Sequence, residues 1–195
     1  MTAVSSQGDL VFRFTSNRLC LDFLATCGEV GHRDIERIGT PLRYSHWIEA
    51  SGILDSRPLV DTFDVDEARG FRERLRHYFS GIISGAGLDK EVVIAISEMA
   101  RRPVPRMELS ADGRSVSKRA DRAGQAALAS VARDVMGLVG DGLLPRVKQC
   151  QDPTCNMFFL DNSRPNNRIW CSTVGRGCGN KAKKRAFRSR QRELV

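Results

Sequence analysis

The sequence has no apolar run that could cross a bilayer. Its longest aliphatic stretch, Val92-Val93-Ile94-Ala95-Ile96, is five residues long, against about 20 for a membrane helix. Its start, Met1 to Leu10, lacks the basic and apolar regions of a secretory signal. A cytoplasmic location is therefore expected. Disulfides are rare in that compartment, so the six cysteines need another role. Histidine is scarce as well: His32, His46 and His77 all lie far upstream of the last four cysteines. No internal repeat and no low-complexity linker divides the chain.

A length of 195 residues allows one domain and a small appendage. The net charge of +8 is unevenly spread. From Arg146 to Val195 there are 12 basic against 3 acidic residues, a local charge of +9, which leaves Met1 to Pro145 at −1. A neutral body with a strongly basic end suggests a body with its own task and a terminal module for a polyanion.

The body is expected to be mainly helical. Leu10 to Phe14 has the composition of a short strand, and Asn17 to Thr26 suits either a helix or a buried strand. Thr40-Pro41 supplies a capping hydroxyl and a first-turn proline for a helix that carries Leu42, Trp47 and Ile48 and stops near Gly52. Asp64 and Glu67 have capping-box spacing. Phe71, Leu75, Phe79 and Ile82 follow on one helical face, with Arg69, Arg72, Glu73 and Arg76 opposite and Gly85 as the stop. A helix is expected over 90–100, a hairpin turning at Asp112-Gly113, and a long helix over about 118–140.

The strongest pattern is Cys150-x4-Cys155, then 15 residues, then Cys171-x6-Cys178. Zinc takes four thiolates in a tetrahedron, and structural sites draw them from two closely spaced pairs on tight turns. Asp152-Pro153 and Gly175 to Gly177 supply turn residues at those positions. Two disulfides would suit the spacing but not the compartment. Four buried free thiols suit so polar a segment poorly. An iron–sulfur cluster also takes four thiolates and stays open at this point. Four thiolates leave no open position, so the expected metal, Zn2+, is structural rather than catalytic. Cys20 and Cys27 lie among Leu19, Leu21, Phe23 and Leu24 and are expected in the core.

Seven bases and no acid lie between Lys181 and Arg192: Lys181, Lys183, Lys184, Arg185, Arg188, Arg190 and Arg192. As a helix the segment has only Ala182, Ala186 and Phe187 as a thin apolar face. The like charges of Lys181/Arg185 and Lys184/Arg188 each oppose an isolated helix by about 0.2–0.5 kcal/mol. Phosphates would steady it, and binding would depend steeply on salt.

The run from Cys150 to Arg190 resembles the CGNR zinc-finger family of bacterial proteins. The resemblance rests on the cysteine pairs, on Phe159-Leu160-Asp161-Asn162-Ser163-Arg164, on Arg168-Ile169-Trp170-Cys171-Ser172, and on Cys178-Gly179-Asn180-Lys181. Upstream, Leu19-Cys20-Leu21-Asp22-Phe23 with Thr26, and the Trp47-Ile48 helix, are similar to the ABATE domain that usually precedes this finger. Two departures stand out. Lys181 replaces the signature arginine, keeping the charge but not the planar fork. The last knuckle, with six residues between its cysteines, carries an extra Gly-Arg-Gly.

The resemblance implies a stress-related transcriptional regulator. The expected architecture is α+β: a mainly helical ABATE-like domain with a small β-hairpin (1–145), then a four-cysteine zinc finger with a basic C-terminal helix (146–195). Cys150, Cys155, Cys171 and Cys178 are the expected metal ligands. Arg164, Arg168, Lys181, Lys183, Lys184, Arg185 and Arg188 are the expected contacts to DNA. The body would sense a small ligand or form a homodimer. Asp161 and Ser163 suit hydrogen bonds to the knuckle, with Asp161 also able to hold Arg164 or Arg168, and Phe159 and Trp170 suit packing around the metal. Asn180 suits a helix cap. An RNA-binding or ribosome-associated protein would use the same charges. An enzyme would need His46 or His77 beside Asp22 or Glu29, and nothing in the sequence joins them.

Overall fold

A computed structural model describes residues 7–175 and 177–193, without the side chains of Gln7, Arg192 and Glu193. Its fold turns on a short, almost wholly buried helix, α1 (Leu19–Leu24). Cys20, Leu21, Phe23 and Leu24 are each 2% exposed or less. Six residues cannot hold a helix by propensity alone. No side chain of its own caps α1; instead Asp134, from a later helix, accepts the Cys20 N–H at 2.9 Å and pairs with Arg18 at 3.0 Å. The choice between helix and strand at 17–26 is thus settled by a partner over a hundred residues away.

Around α1 pack α2 (Pro41–Ala50), α3 (Thr62–Ser84), α4 (Lys90–Arg101) and α5 (Ala123–Gly140). Phe23 meets Trp47 at 5.2 Å and Phe71 at 6.4 Å between ring centroids. Thr40 caps α2 as expected. Helix α3 begins before the expected start, because Asp61 is the cap and Asp64 its reciprocal partner, at 2.9 and 3.1 Å. Glu67 pairs instead with Arg102 at 2.6 Å. Gly85 ends α3.

Three antiparallel strand pairs complete the fold among the described residues: β1 (Cys27–Gly28) with β2 (Ile35–Glu36), β3 (Arg106–Leu109) with β4 (Val116–Arg119), and β5 (Val147–Gln149) with β6 (Phe158–Leu160). The architecture is α+β and mainly helical. Helix α5 starts later than expected because β4 takes residues up to Arg119. The strand expected over Leu10–Phe14 is absent. Gln7–Leu10 forms a 3-10 turn, and side chains hold the segment after it. Arg43 bonds the Leu10 carbonyl and stacks over Phe12, and Arg37 donates to the Val11 carbonyl. Residues 1–6, part of the start that lacks the regions of a secretory signal, lie outside the described residues.

One residue assigned to the polar face of α3 belongs to the core. The Arg72 side chain is 3% exposed. Its guanidinium makes a two-pronged pair with Glu36 and donates to the Thr26 hydroxyl at 2.9 Å. Burial alone would raise the Glu36 carboxyl, but the hydrogen bonds from Arg72 outweigh it and hold the group below its ordinary range. The pair joins α1, β2 and α3 at a single point. Removing one partner of such a pair strands the other charge. Arg72→Met or Glu36→Gln is expected to lower unfolding stability by about 3 kcal/mol, measured by urea denaturation. The Glu36 contribution is expected to be full above the ordinary carboxylate range and to fade as pH falls through the lowered folded value.

Candidate metal centre and basic helix

The hairpin β5–β6 positions the centre. Its residues alternate sides. Val147, Phe158 and Leu160 face the main core, while Phe159 faces a second cluster made of Ala25, Met157, Cys150, Cys155, Cys171 and Cys178, with Trp170 packed against it. Phe159 and Trp170 thus serve packing around the cysteines. Cys20 is buried in the main core and Cys27 is half-buried on β1.

Each cysteine pair sits on a turn fixed by its neighbours. At the first knuckle the Asp152 carboxylate accepts the Thr154 N–H at 3.0 Å and hydroxyl at 2.8 Å, and the Cys155 N–H meets the Asp152 carbonyl at 2.9 Å. The path to the second knuckle is organised by Asp161, which is fully buried. It accepts the Ser163 N–H and hydroxyl at 3.0 and 2.6 Å, the Arg168 N–H at 2.8 Å, and the Lys148 ammonium at 3.1 Å. Burial pushes its carboxyl up, yet these donors outweigh burial and hold it far below the ordinary range. At the second knuckle Gly179 lies so close to its surroundings that an added Cβ would stand 2.7 Å from the Thr173 methyl and 3.2 Å from Trp170. A side chain there, directly after the fourth cysteine, would force Thr173 and Trp170 to shift. Asn180 is no cap: it is the third residue of α6 (Cys178–Glu193), and its amide donates to the Gly175 carbonyl at 2.8 Å, closing the long knuckle from inside.

The four sulfurs converge. All lie within 4.8 Å of one another, Cys171 stands 3.7 Å from both Cys155 and Cys178, and the Cys171 N–H points at the Cys150 sulfur at 3.5 Å. Zn–S bonds of about 2.3 Å in a tetrahedron separate the sulfurs by about 3.8 Å. A disulfide needs about 2.05 Å. A multi-iron cluster divides its four thiolates over two or four irons, and thiolates on different irons stand further apart than this. The four thiols interact strongly with one another. The Cys150 thiol is held far below its ordinary range by hydrogen bonds from Cys155, Cys171 and Cys178, whereas Cys171 and Cys178 are pushed far above theirs, first by their hydrogen bonds with Cys150. Without a cation the four cannot all be thiolates at once; a bound metal ion is what lets them coexist.

Helix α6 grows directly from the fourth ligand. Arg185 reaches back to Asp152 at 3.0 Å, which ties the helix to the first knuckle and relieves its repulsion with Lys181. Lys181, Lys183, Lys184 and Arg188 are exposed, and none forms an ion pair among the described residues. Arg164 is exposed on the loop after β6. Arg168 is otherwise engaged: it donates to the Cys171 carbonyl at 2.8 Å and lies 5.1 Å over the Phe159 ring. The histidines are scattered. His77 is exposed on α3, and His46 lines an open groove with Glu49, which Arg57 holds at 2.6 Å. Asp22 accepts the Ser16 N–H and Glu29 holds Arg33, each away from both histidines. No helix among the described residues is long and apolar enough to cross a membrane.

Sequence reasoning missed the Asp152–Arg185 tie and the Lys148 partner of Asp161. The Asp-x-Thr spacing at 152–154 is a local signal for the first; nothing local announces the second.

Comparison with known families agrees with this geometry. Residues 17–142 match the ABATE family, described as "Putative stress-induced transcription regulator", and residues 146–191 match the CGNR zinc finger. No curated protein matches the chain. The four cysteines form a structural zinc site. The protein is expected to carry one zinc per chain by metal analysis, and chelation is expected to unfold the finger while leaving most helical signal in place. Asp161→Ala is expected to weaken zinc binding about 10–100-fold in chelator competition, because the turn that presents Cys171 loses its buried acceptor. Matched over more than half of its length, the chain belongs to the ABATE family and carries a CGNR zinc finger at its C-terminal end.

Proposed function

We propose that this protein is a zinc-dependent DNA-binding transcriptional regulator. In this reading residues 1–145 are a regulatory body, for a small ligand or a second copy, and residues 146–195 are the module that meets DNA. The observation that carries it is the launch of α6 from the fourth zinc ligand. Its cations sit on an element whose start is fixed by Cys178, Asn180 and the Arg185–Asp152 pair. A solubility tail has no use for such anchoring. The family description supports the regulatory role.

Lys181, Lys183, Lys184 and Arg188, with Arg164 on the loop after β6, would neutralise backbone phosphates. Arg185 and Arg168 contribute charge near the surface while holding the finger together. With about five phosphates neutralised, the slope of log affinity against log salt is expected to be about −4.5.

Fluorescence anisotropy with genomic duplex fragments tests the reading. Zinc-loaded protein is expected to bind and chelated protein to lose specific binding. Lys184→Ala is expected to weaken binding across all sequences and reduce the salt slope by about 1. Absence of duplex binding at low salt would remove the proposal, and a clear preference for structured RNA at matched salt would replace DNA with RNA.

A further inference from the structure

A buried arginine lies between the body and the zinc centre. Arg37 follows β2 and is 1% exposed. Its hydrogen bonds go to main-chain carbonyls, Val11 at 3.1 Å and Ala25 at 3.0 Å, and no carboxylate pairs with it among the described residues. A buried guanidinium without a counter-charge is costly. Burial, and then Arg13 nearby, lower its affinity for the proton, to about 10, and the opposing pull of Cys27, Asp9 and Glu29 does not make up the difference. The fold nevertheless makes room for it. Gly28 lies against the guanidinium so closely that a Cβ there would stand 2.4 Å from Nη1.

What Arg37 faces is the finger. It shares a small cleft with Arg13, Lys181 and two of the zinc ligands, Cys155 and Cys178. Ala25, whose carbonyl it holds, belongs to the same buried cluster as all four cysteines. Zn2+ with four thiolates is a net dianion. Arg13 and Lys181 also lack ion pairs among the described residues; the one carboxylate lining the cleft, Glu29, is held by Arg33 at 2.7 Å and also lies in the field of Lys181 and Arg37. The cleft encloses about 20 Å³, room on the order of one water and too little for a phosphate group. One shared carboxylate does not match three cations, and the metal-bound thiolates are the remaining anion lining the cleft.

We infer that Arg37, assisted by Arg13 and Lys181, is the counter-charge of the zinc–tetrathiolate centre, so that the body helps to hold the metal in the finger. Arg37 is a positioning and charge-balancing residue, not a ligand. The inference also gives Lys181 a role that needs only its charge.

The test uses the full chain loaded with zinc or with Co2+ as a spectroscopic probe. Arg37→Met is expected to weaken zinc binding about 10–100-fold and to move the sulfur-to-cobalt charge-transfer band to lower energy, because the thiolates lose a neighbouring positive charge. Arg37→Lys is expected to restore much of both. The double variant Arg13→Gln/Lys181→Gln, on exposed residues, is expected to shift both readouts in the same direction by less. A purely structural role for Arg37 would lower thermal stability without moving the band. Unchanged affinity and an unchanged band in Arg37→Met would overturn the inference; should that variant fail to fold, the double variant decides by the same two readouts.

Discussion

Four sulfurs must reach one point, and much of the C-terminal quarter is arranged around that requirement. The ligands come from two knuckles separated by 15 residues, and each knuckle is shaped by a carboxylate. Asp152 turns the first. Asp161 gathers the segment that delivers the second, with four donors converging on one buried side chain. An acid inside a basic module looks out of place by charge alone. Its position is explained by the N–H groups of a tight loop, which need an acceptor that water cannot supply there.

The metal site was readable because its constraints are local. Cysteine spacing, turn residues and the glycine after Cys178 all act within a few positions, and chemistry restricts what four thiolates can hold. The helical body was readable where periodicity and capping are local, as at Thr40-Pro41 and along Phe71, Leu75 and Phe79. It was left open, or misread, where the deciding partner is remote. Helix α1 takes its cap from Asp134. Arg72 looked like a solvent-facing base until Glu36 and Thr26 were found beside it. The residues Leu10–Phe14 have strand composition but find no strand to pair with, so arginine side chains satisfy the carbonyls of Leu10 and Val11. Arg37 belongs to the same class, since a lone arginine after a two-residue strand carries no sign of its burial.

The motif residues of the body have physical reasons as well. Asp22 accepts the Ser16 N–H and so folds the entering chain onto α1. Thr26 donates to the Phe23 carbonyl at 2.6 Å while its oxygen receives Arg72, so a single hydroxyl ends the helix and joins it to α3. A short apolar signature with one acid and one threonine is what a buried six-residue helix needs to be held at both ends.

The hairpin β5–β6 is shared by two cores, with Phe158 turned to one and Phe159 to the other. Leu160 also donates its N–H to the Ser16 carbonyl, and Asn156 reaches the Val30 carbonyl. A module on a flexible tether would take any direction relative to its neighbour. This one has no free swivel: packed into both cores and bonded to the body on two sides, the hairpin gives α6 one bearing relative to the helical body.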